Sequence, residues 1–222
     1  MKTDTFTQES ACERIGLFLF SIAALVSCTQ KDPYQTRWHW EEGTIVVESP
    51  EMAEGQQTAL QLALDPIPVV HIGFAGLGMR GSEAVRRYTY IQDVDIVALC
   101  DYELDRAQKS DSDLIARGLH QAALYSGENG YQQMCEREDI DLVYVAADWD
   151  HHFPIAKYAL EHGKNVAIEV PSAMNLSQIW QLIDLSERNR RHCMMLENCT
   201  YGEAEMLAFN LIHKGKLGEI VQ

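Results

Sequence analysis

The residues of this chain whose types and spacing could do chemistry begin with Gly76-Leu77-Gly78-Met79-Arg80-Gly81. Three glycines spaced in this way suit a strand-to-helix turn that carries a diphosphate. Gly76 permits the tight turn, Gly78 lets the backbone approach the phosphates, and Gly81 lets the helix pack closely on the strand. The helix beginning there offers free N–H groups and the positive end of its dipole to the same anion. Asp101 follows the last glycine by about 20 residues, where a carboxylate can accept hydrogen bonds from adenosine ribose hydroxyls. An acid at that point favours NAD over NADP, since it repels a 2′-phosphate. Further along lie Trp149, His152, Glu169 and Asn198, each at or just beyond the end of an expected strand. Singly, each has an ordinary explanation: a packing tryptophan, a helix-capping histidine, an acid before a turn at Pro171, a turn asparagine. Together, on one rim, they read as a ligand-binding set. His151 reads as a solvated residue at a helix start.

These residues need elements to position them. Val69 to Ala75 is short, apolar and partly β-branched, the pattern of a strand buried on both faces. A helix is expected from Ser82 to about Tyr90, then a strand from Val94 to Cys100 that Asp101 ends. Leu104 to Arg117 reads as a helix ended by Gly118, Ala122 to Tyr125 as a short strand, and Gly130 to Glu136 as a short helix. Ile140 to Ala146 is a strand, His152 to His162 a helix stopped by Gly163, and Asn165 to Glu169 a strand. Leu176 to Asn189 is a helix with Asn175 as its N-cap, Cys193 to Glu197 a strand, and Glu203 to His213 a helix. Strand and helix alternating through tight loops predict an α/β fold, a doubly wound parallel Rossmann sheet, with ligands at the carboxyl ends of its strands.

Composition narrows the function classes. The 222 residues carry a formal net charge of −15, the same sign as a nucleic acid and so repelled by one, and no basic stripe is present. Arg188, Arg190 and Arg191 lie beside Asp184 and Glu187 and read as a solvated helix end. Cys12, Cys28, Cys100, Cys135, Cys193 and Cys199 show no zinc or redox spacing, so no metal site is expected. Cys100 and Cys193 lie in apolar runs and read as buried small hydrophobes. Ile15 to Ser27 is an apolar run too short to span a bilayer, which needs about 20 residues. It has the length of a signal-peptide core, although Asp4, Glu9 and Glu13 offset Lys2 and Arg14 ahead of it. Leu25-Val26-Ser27-Cys28 resembles a bacterial lipoprotein box, which implies a lipid anchor at Cys28 and an exported, periplasmic or outer-membrane lipoprotein. The expected organisation is residues 1–28 as signal peptide with lipobox and 29–66 as an N-terminal arm or linker. Residues 67–198 form the dinucleotide-binding domain, and 199–222 the start of a truncated second α/β domain for substrate.

At these motifs the chain resembles the Gfo/Idh/MocA oxidoreductase superfamily. More closely, it is similar to the glycoside hydrolase family 109 branch, the NAD-dependent α-N-acetylgalactosaminidases. The resemblance covers about residues 55 to 222. It rests on GLGMRG at 76–81, DWDHHFP at 148–154, Glu169-Val170-Pro171, and HCMMLENCTYG at 192–202. It implies NAD contacts from Met79 and Arg80, a ribose contact from Asp101, and cofactor contacts from a Trp-x-x-His element, Trp149 and His152. It further implies cofactor roles for Glu169 and Val170 as a Glu-Val pair and for Asn198 near the nicotinamide, with Tyr201 on the substrate side. Related enzymes have Trp-Glu-Trp-His where this chain has Trp149-Asp150-His151-His152, so the third position departs from the pattern. Dehydrogenases of the superfamily carry Glu-Lys-Pro, whose lysine helps move a hydroxyl proton. Val170 stands at that middle position and cannot titrate. The implied reaction is a redox-neutral hydrolysis. Hydride leaves C3 of the sugar, the acidified C2 proton is removed, the C1 substituent departs, water adds, and hydride returns. A tightly held, recycled NAD suits an exported protein. The implied partner is a glycan or glycoconjugate with terminal α-N-acetylgalactosamine. Catalytic residues are not assigned, and a homo-oligomer is left open. The chain is expected to be an incomplete form that binds NAD weakly and does not turn over. Two other readings stay open: an NAD-dependent sugar oxidoreductase, and an inactive nucleotide-binding remnant.

Overall fold

The computed structural model describes residues 32–35 and 37–219. The signal peptide and lipid anchor expected within residues 1–28 lie outside that range. Two strands open the described chain, β1 (Arg37–Glu41) and β2 (Thr44–Glu48), paired antiparallel. Glu42 and Gly43 join them, both at positive φ (47° and 81°), the backbone twist that a two-residue hairpin turn requires. The segment around this hairpin is tied to the domain through polar contacts. Tyr34 Oη donates to Asp184 Oδ2 at 2.6 Å, Gln56 Nε2 donates to Glu187 Oε2 at 2.7 Å, and the Ala59 N–H donates to Glu187 Oε1 at 3.0 Å.

The domain proper alternates strand and helix: β3 (Val70–Ala75), α1 (Met79–Tyr88), β4 (Val94–Asp101), α2 (Leu104–Ala116), β5 (Ala123–Ser126) and α3 (Gly130–Cys135). It continues with β6 (Leu142–Val145), α4 (Trp149–Glu161), β7 (Asn165–Glu169), α5 (Leu176–Asn189), β8 (Cys193–Leu196) and α6 (Glu203–His213). Among the described residues β3 to β8 form one parallel sheet ordered β5-β4-β3-β6-β7-β8. The chain winds outward from β3 through β4 to β5, returns to lay β6 on the other side of β3, and winds outward again. The crevice between β3 and β6 is therefore the topological switch point.

Side chains alternate across the sheet and fill two cores. On one face Ile72, Phe74, Leu99 and Tyr144 pack with Ala84, Val85, Ala107 and Leu114 of α1 and α2. On the other, Val143, Val145, Val166 and Ile168 pack with Met134, Ile155, Leu160 and Leu182 of α3, α4 and α5. Coverage on both faces explains the nearly unbroken apolar strands. Each fully buried large aliphatic side chain contributes about 1.5–3 kcal/mol. At β8, Cys193 is half-buried rather than buried, because among the described residues no strand pairs beyond it.

Two helices start earlier than the sequence reading placed them. α1 begins at Met79, not Ser82, so the glycine turn itself winds into the first helical turn. α4 begins at Trp149, not His152. Asp148 is its N-cap, its Oδ1 accepting the N–H groups of Asp150 (3.1 Å) and His151 (3.2 Å). Asn175 caps α5 as expected, Oδ1 accepting the Gln178 N–H at 3.0 Å.

Candidate functional site

The turn between β3 and α1 is built by its glycines. Gly76 adopts φ +90°, and a Cβ on it would lie 2.4 Å from the Ala147 nitrogen. A Cβ on Gly81 would lie 1.8 Å from the Gly76 carbonyl oxygen, so α1 can follow the turn this tightly only with glycine there. Gly78 differs: a Cβ there meets nothing within 4 Å. The protein's own packing does not demand a glycine at Gly78. The open space faces a cleft, which is what close approach of a diphosphate requires. α1 has no side-chain cap, so its first-turn N–H groups are available to an anion.

Asp101, at the end of β4, is tied to this turn. A one-residue register shift between Ile72 and Gly73 sets Ala75 beside Cys100, and the Gly76 N–H donates to the Cys100 carbonyl at 2.9 Å. Asp101 then accepts the Leu77 N–H at 2.6 Å through Oδ2 and the Glu103 N–H at 3.0 Å through Oδ1, with Arg106 at 3.6 Å. The carboxylate is buried beside the turn, at the mouth of the cleft.

The cleft has a volume of about 550 Å³ and is lined by Gly76, Gly78, Met79, Arg80, Asp101, Tyr102, Arg106, Tyr131, Asp148 and His151, among others. A second cavity of about 240 Å³ adjoins it, lined by Trp149, His152, Glu169, Val170 and Asn198. Arg80, Ala146 and Ala147 line both, so the two form one path across the switch point. Every expected cofactor residue falls on this path except Gly81, which supports the turn from beneath. Tyr201 does not. It is 72% exposed and lines neither cavity, and α6, which follows it, buries none of its described side chains. Nothing in the described chain folds that segment back onto the rim.

Arg80 links the two cavities. Its Nε donates to Glu169 Oε1 at 2.8 Å, and its Nη2 donates to Asn198 Oδ1 at 2.9 Å. Tyr144 Oη donates to the same Glu169 oxygen at 2.5 Å. Burial works against the Glu169 charge, but the hydrogen bonds from Arg80 and Tyr144 and the arginine charge outweigh it. They hold the carboxyl below the ordinary carboxylate range.

His152 is fully buried, with Nδ1 at 2.7 Å from the Pro171 carbonyl oxygen. A carbonyl oxygen only accepts, so Nδ1 carries the proton, and in the neutral ring Nε2 presents a lone pair. Nε2 is buried, with no hydrogen-bond partner among the described residues. A buried acceptor left unpaired costs about 1–3 kcal/mol. A ligand donor, such as a carboxamide N–H, would fit it. The open space at Gly78, the bare N-terminus of α1, and this orphaned nitrogen all fit a nicotinamide dinucleotide.

Several site residues were not anticipated. Asp148 had a legible signal, since an aspartate before a helical run is a common N-cap. Tyr102 and Arg106 sit one and five residues after Asp101 and followed from its assignment. Tyr144 had little signal: one tyrosine within the apolar run Leu142 to Val145.

A parallel sheet of this order, with a glycine turn, a strand-end acid and a two-part cleft at its switch point, defines an NAD-binding Rossmann domain. Comparison with known proteins agrees. Residues 70–197 match the Gfo/Idh/MocA family, described as an oxidoreductase family with an NAD-binding Rossmann fold, and the chain belongs to that family. It is 56% identical over 185 residues to glycosyl hydrolase family 109 protein 5 of Phocaeicola vulgatus, covering 83% of this chain and 36% of that one. A glycosyl hydrolase family 109 protein of Porphyromonas gingivalis is 50% identical over 178 residues, covering 80% of this chain and 38% of the relative. The chain thus spans less than half the length of these curated relatives. Among solved structures, scyllo-inositol dehydrogenase of Lactobacillus casei, with bound NAD(H) and scyllo-inositol, superposes with a TM-score of 0.60 at 21% identity. That match covers 68% of this chain and 43% of the dehydrogenase, and it shows the shared fold.

Proposed function

We propose that this chain is the NAD-holding part of a redox-neutral glycosidase acting on terminal α-N-acetylgalactosamine in glycans. The observation that carries the reading is the lining of the smaller cavity. Its middle position beside Glu169 is Val170, which cannot move a hydroxyl proton. Among the described residues its only carboxylate is Glu169, already bonded on one oxygen to Arg80 and Tyr144. Two-carboxylate hydrolysis needs a pair of acids flanking the scissile bond, and the described lining supplies a single one. The names of the family 109 relatives support the same reading.

In this reading the α1 N-terminus and the backbone at Gly78 bind the diphosphate. Asp101 orients the adenosine ribose, His152 accepts a hydrogen bond at the nicotinamide end, and Trp149 and Val170 line that end. Bound NAD supplies a reversible hydride acceptor next to one sugar carbon, so the overall reaction is hydrolysis. Export, with the domain anchored through Cys28, belongs to the same proposal.

The test is isotopic. An aryl α-N-acetylgalactosaminide is incubated in deuterated water with this chain, alone and extended by the remainder of the Phocaeicola vulgatus relative. The expected result for the extended protein is free sugar carrying deuterium at C2 with no net NADH. Net NADH with oxidised sugar would establish the sugar oxidoreductase instead, and failure of the extended protein to retain any NAD would leave a remnant.

A further inference from the structure

The network at the junction of the two cavities includes one residue that lines neither of them. Tyr144 is 2% exposed, and its phenol donates to Glu169 Oε1. In the β6–β7 register Tyr144 lies opposite Ala167, two residues before Glu169 on the same face. The small alanine leaves room for the ring to run along the sheet, so the hydroxyl arrives at the strand end. Phe74, centred 5.0 Å away, and Tyr88, at 5.4 Å, hold the ring in place. Arg80 reaches the same oxygen from α1. Both donors therefore converge on Oε1, while Oε2 receives no hydrogen bond from the described residues and belongs to the side chain lining the smaller cavity.

We propose that Tyr144 is a positioning residue of this site. Its hydroxyl holds Glu169 charged and oriented, and through Glu169 it holds Arg80 and Asn198 in the arrangement that meets the cofactor. The inference rests on the NAD reading of the cleft.

Chemistry supports the direction of control. Burial, then the hydrogen bond to Glu169 and its charge, push the Tyr144 phenol well above its ordinary range, so it stays a donor. The ionisable groups around Glu169 are Arg80, Arg87 and Tyr88 from α1, Tyr144 from β6, and His152 from α4. Of these, Tyr144 and Arg80 bond it directly. Without the tyrosine hydroxyl, the carboxylate keeps its burial and loses one of two donors. It then takes up a proton at higher pH, and the protonated acid releases Arg80.

The experiment compares the wild-type chain with Tyr144→Phe, which keeps the ring packing. The Glu169 side-chain carboxyl is followed by carbon-13 NMR as the pH is lowered, its resonance assigned by its loss in Glu169→Gln. The Tyr144→Phe midpoint is expected at higher pH than wild type. NAD⁺ affinity is expected to be weaker in the variant, and roughly three- to tenfold more so in acid than at neutral pH. An unchanged Glu169 midpoint overturns the proposal. If wild type binds no NAD⁺, the cofactor reading fails, while the Glu169 titration still decides the role of Tyr144. If Tyr144→Phe unfolds, replacing Tyr144 with fluorotyrosine keeps the ring and strengthens the donor. The Glu169 midpoint should then move to lower pH, and no movement again overturns the proposal.

Discussion

The three glycines of the turn are often treated as one signature, yet their surroundings separate them. Gly81 faces the Gly76 carbonyl so closely that a methyl group would sit 1.8 Å from it, whereas Gly78 has open space. Gly81→Ala should therefore destabilise the domain by about 3 kcal/mol, read as a lower urea midpoint. Gly78→Ala should leave that midpoint within roughly 0.5 kcal/mol. It should nevertheless weaken NAD binding by about tenfold or more in a titration, because the methyl takes the space the diphosphate needs. Equal stability losses for the two variants would refute this division of roles. The spacing in sequence brought these residues and Asp101 to one turn, and the structure joins them there, with Asp101 accepting the Leu77 N–H. It also gave Gly78 to the phosphates and Gly81 to the contact of helix with strand, and the atoms opposite each glycine supply the distances. Tyr144 stayed hidden in the sequence, because its partner is 25 residues away.

At the scale of elements, helix starts decide how the site is presented. Because α4 begins at Trp149, Trp149 and His152 stand three residues apart in its first turn and share a face, which brings both to the smaller cavity. The apolar periodicity alone placed the start at His152, since the first turn of α4 is largely polar. The cap residue settles it: Asp148 binds two N–H groups and pairs with His151 at 2.8 Å. Asp148→Ala should cost about 0.5–2 kcal/mol in denaturant unfolding at neutral pH. The hydrogen bond from His151 holds the Asp148 carboxyl below its ordinary range, against a smaller effect of burial. A depressed carboxyl stabilises the fold above its unfolded value, about pH 4, and that stabilisation is lost as pH falls through the folded value. The difference between wild type and Asp148→Ala should therefore be full at neutral pH and shrink in acid. A difference that grew in acid would contradict the assignment.

At the scale of the whole molecule, the cleft exists because the chain returns to place β6 beside β3. A ligand seated there bridges both halves of the sheet and binds only the folded state. NAD⁺ should therefore raise the thermal midpoint with concentration, reaching about 2.7 kcal/mol of added stability at 100 times its Kd. NADP⁺ should give a smaller rise, because its 2′-phosphate would meet Asp101. Equal rises with both, or none with NAD⁺ from a folded chain, would count against a ribose-binding role for Asp101. By itself the sequence determined the alternation of strands and helices, the glycine turn and the strand-end acid. These are local matters of periodicity, turn chemistry and spacing, and neighbouring residues carry them. Only the tertiary structure decided that Arg80 joins Glu169 and Asn198, 89 and 118 residues further on, that His152 keeps a buried nitrogen without a partner among the described residues, and that Tyr201 lines neither cavity. Those facts depend on strand order and register, which are set by how the two cores pack and which no stretch of the chain encodes alone.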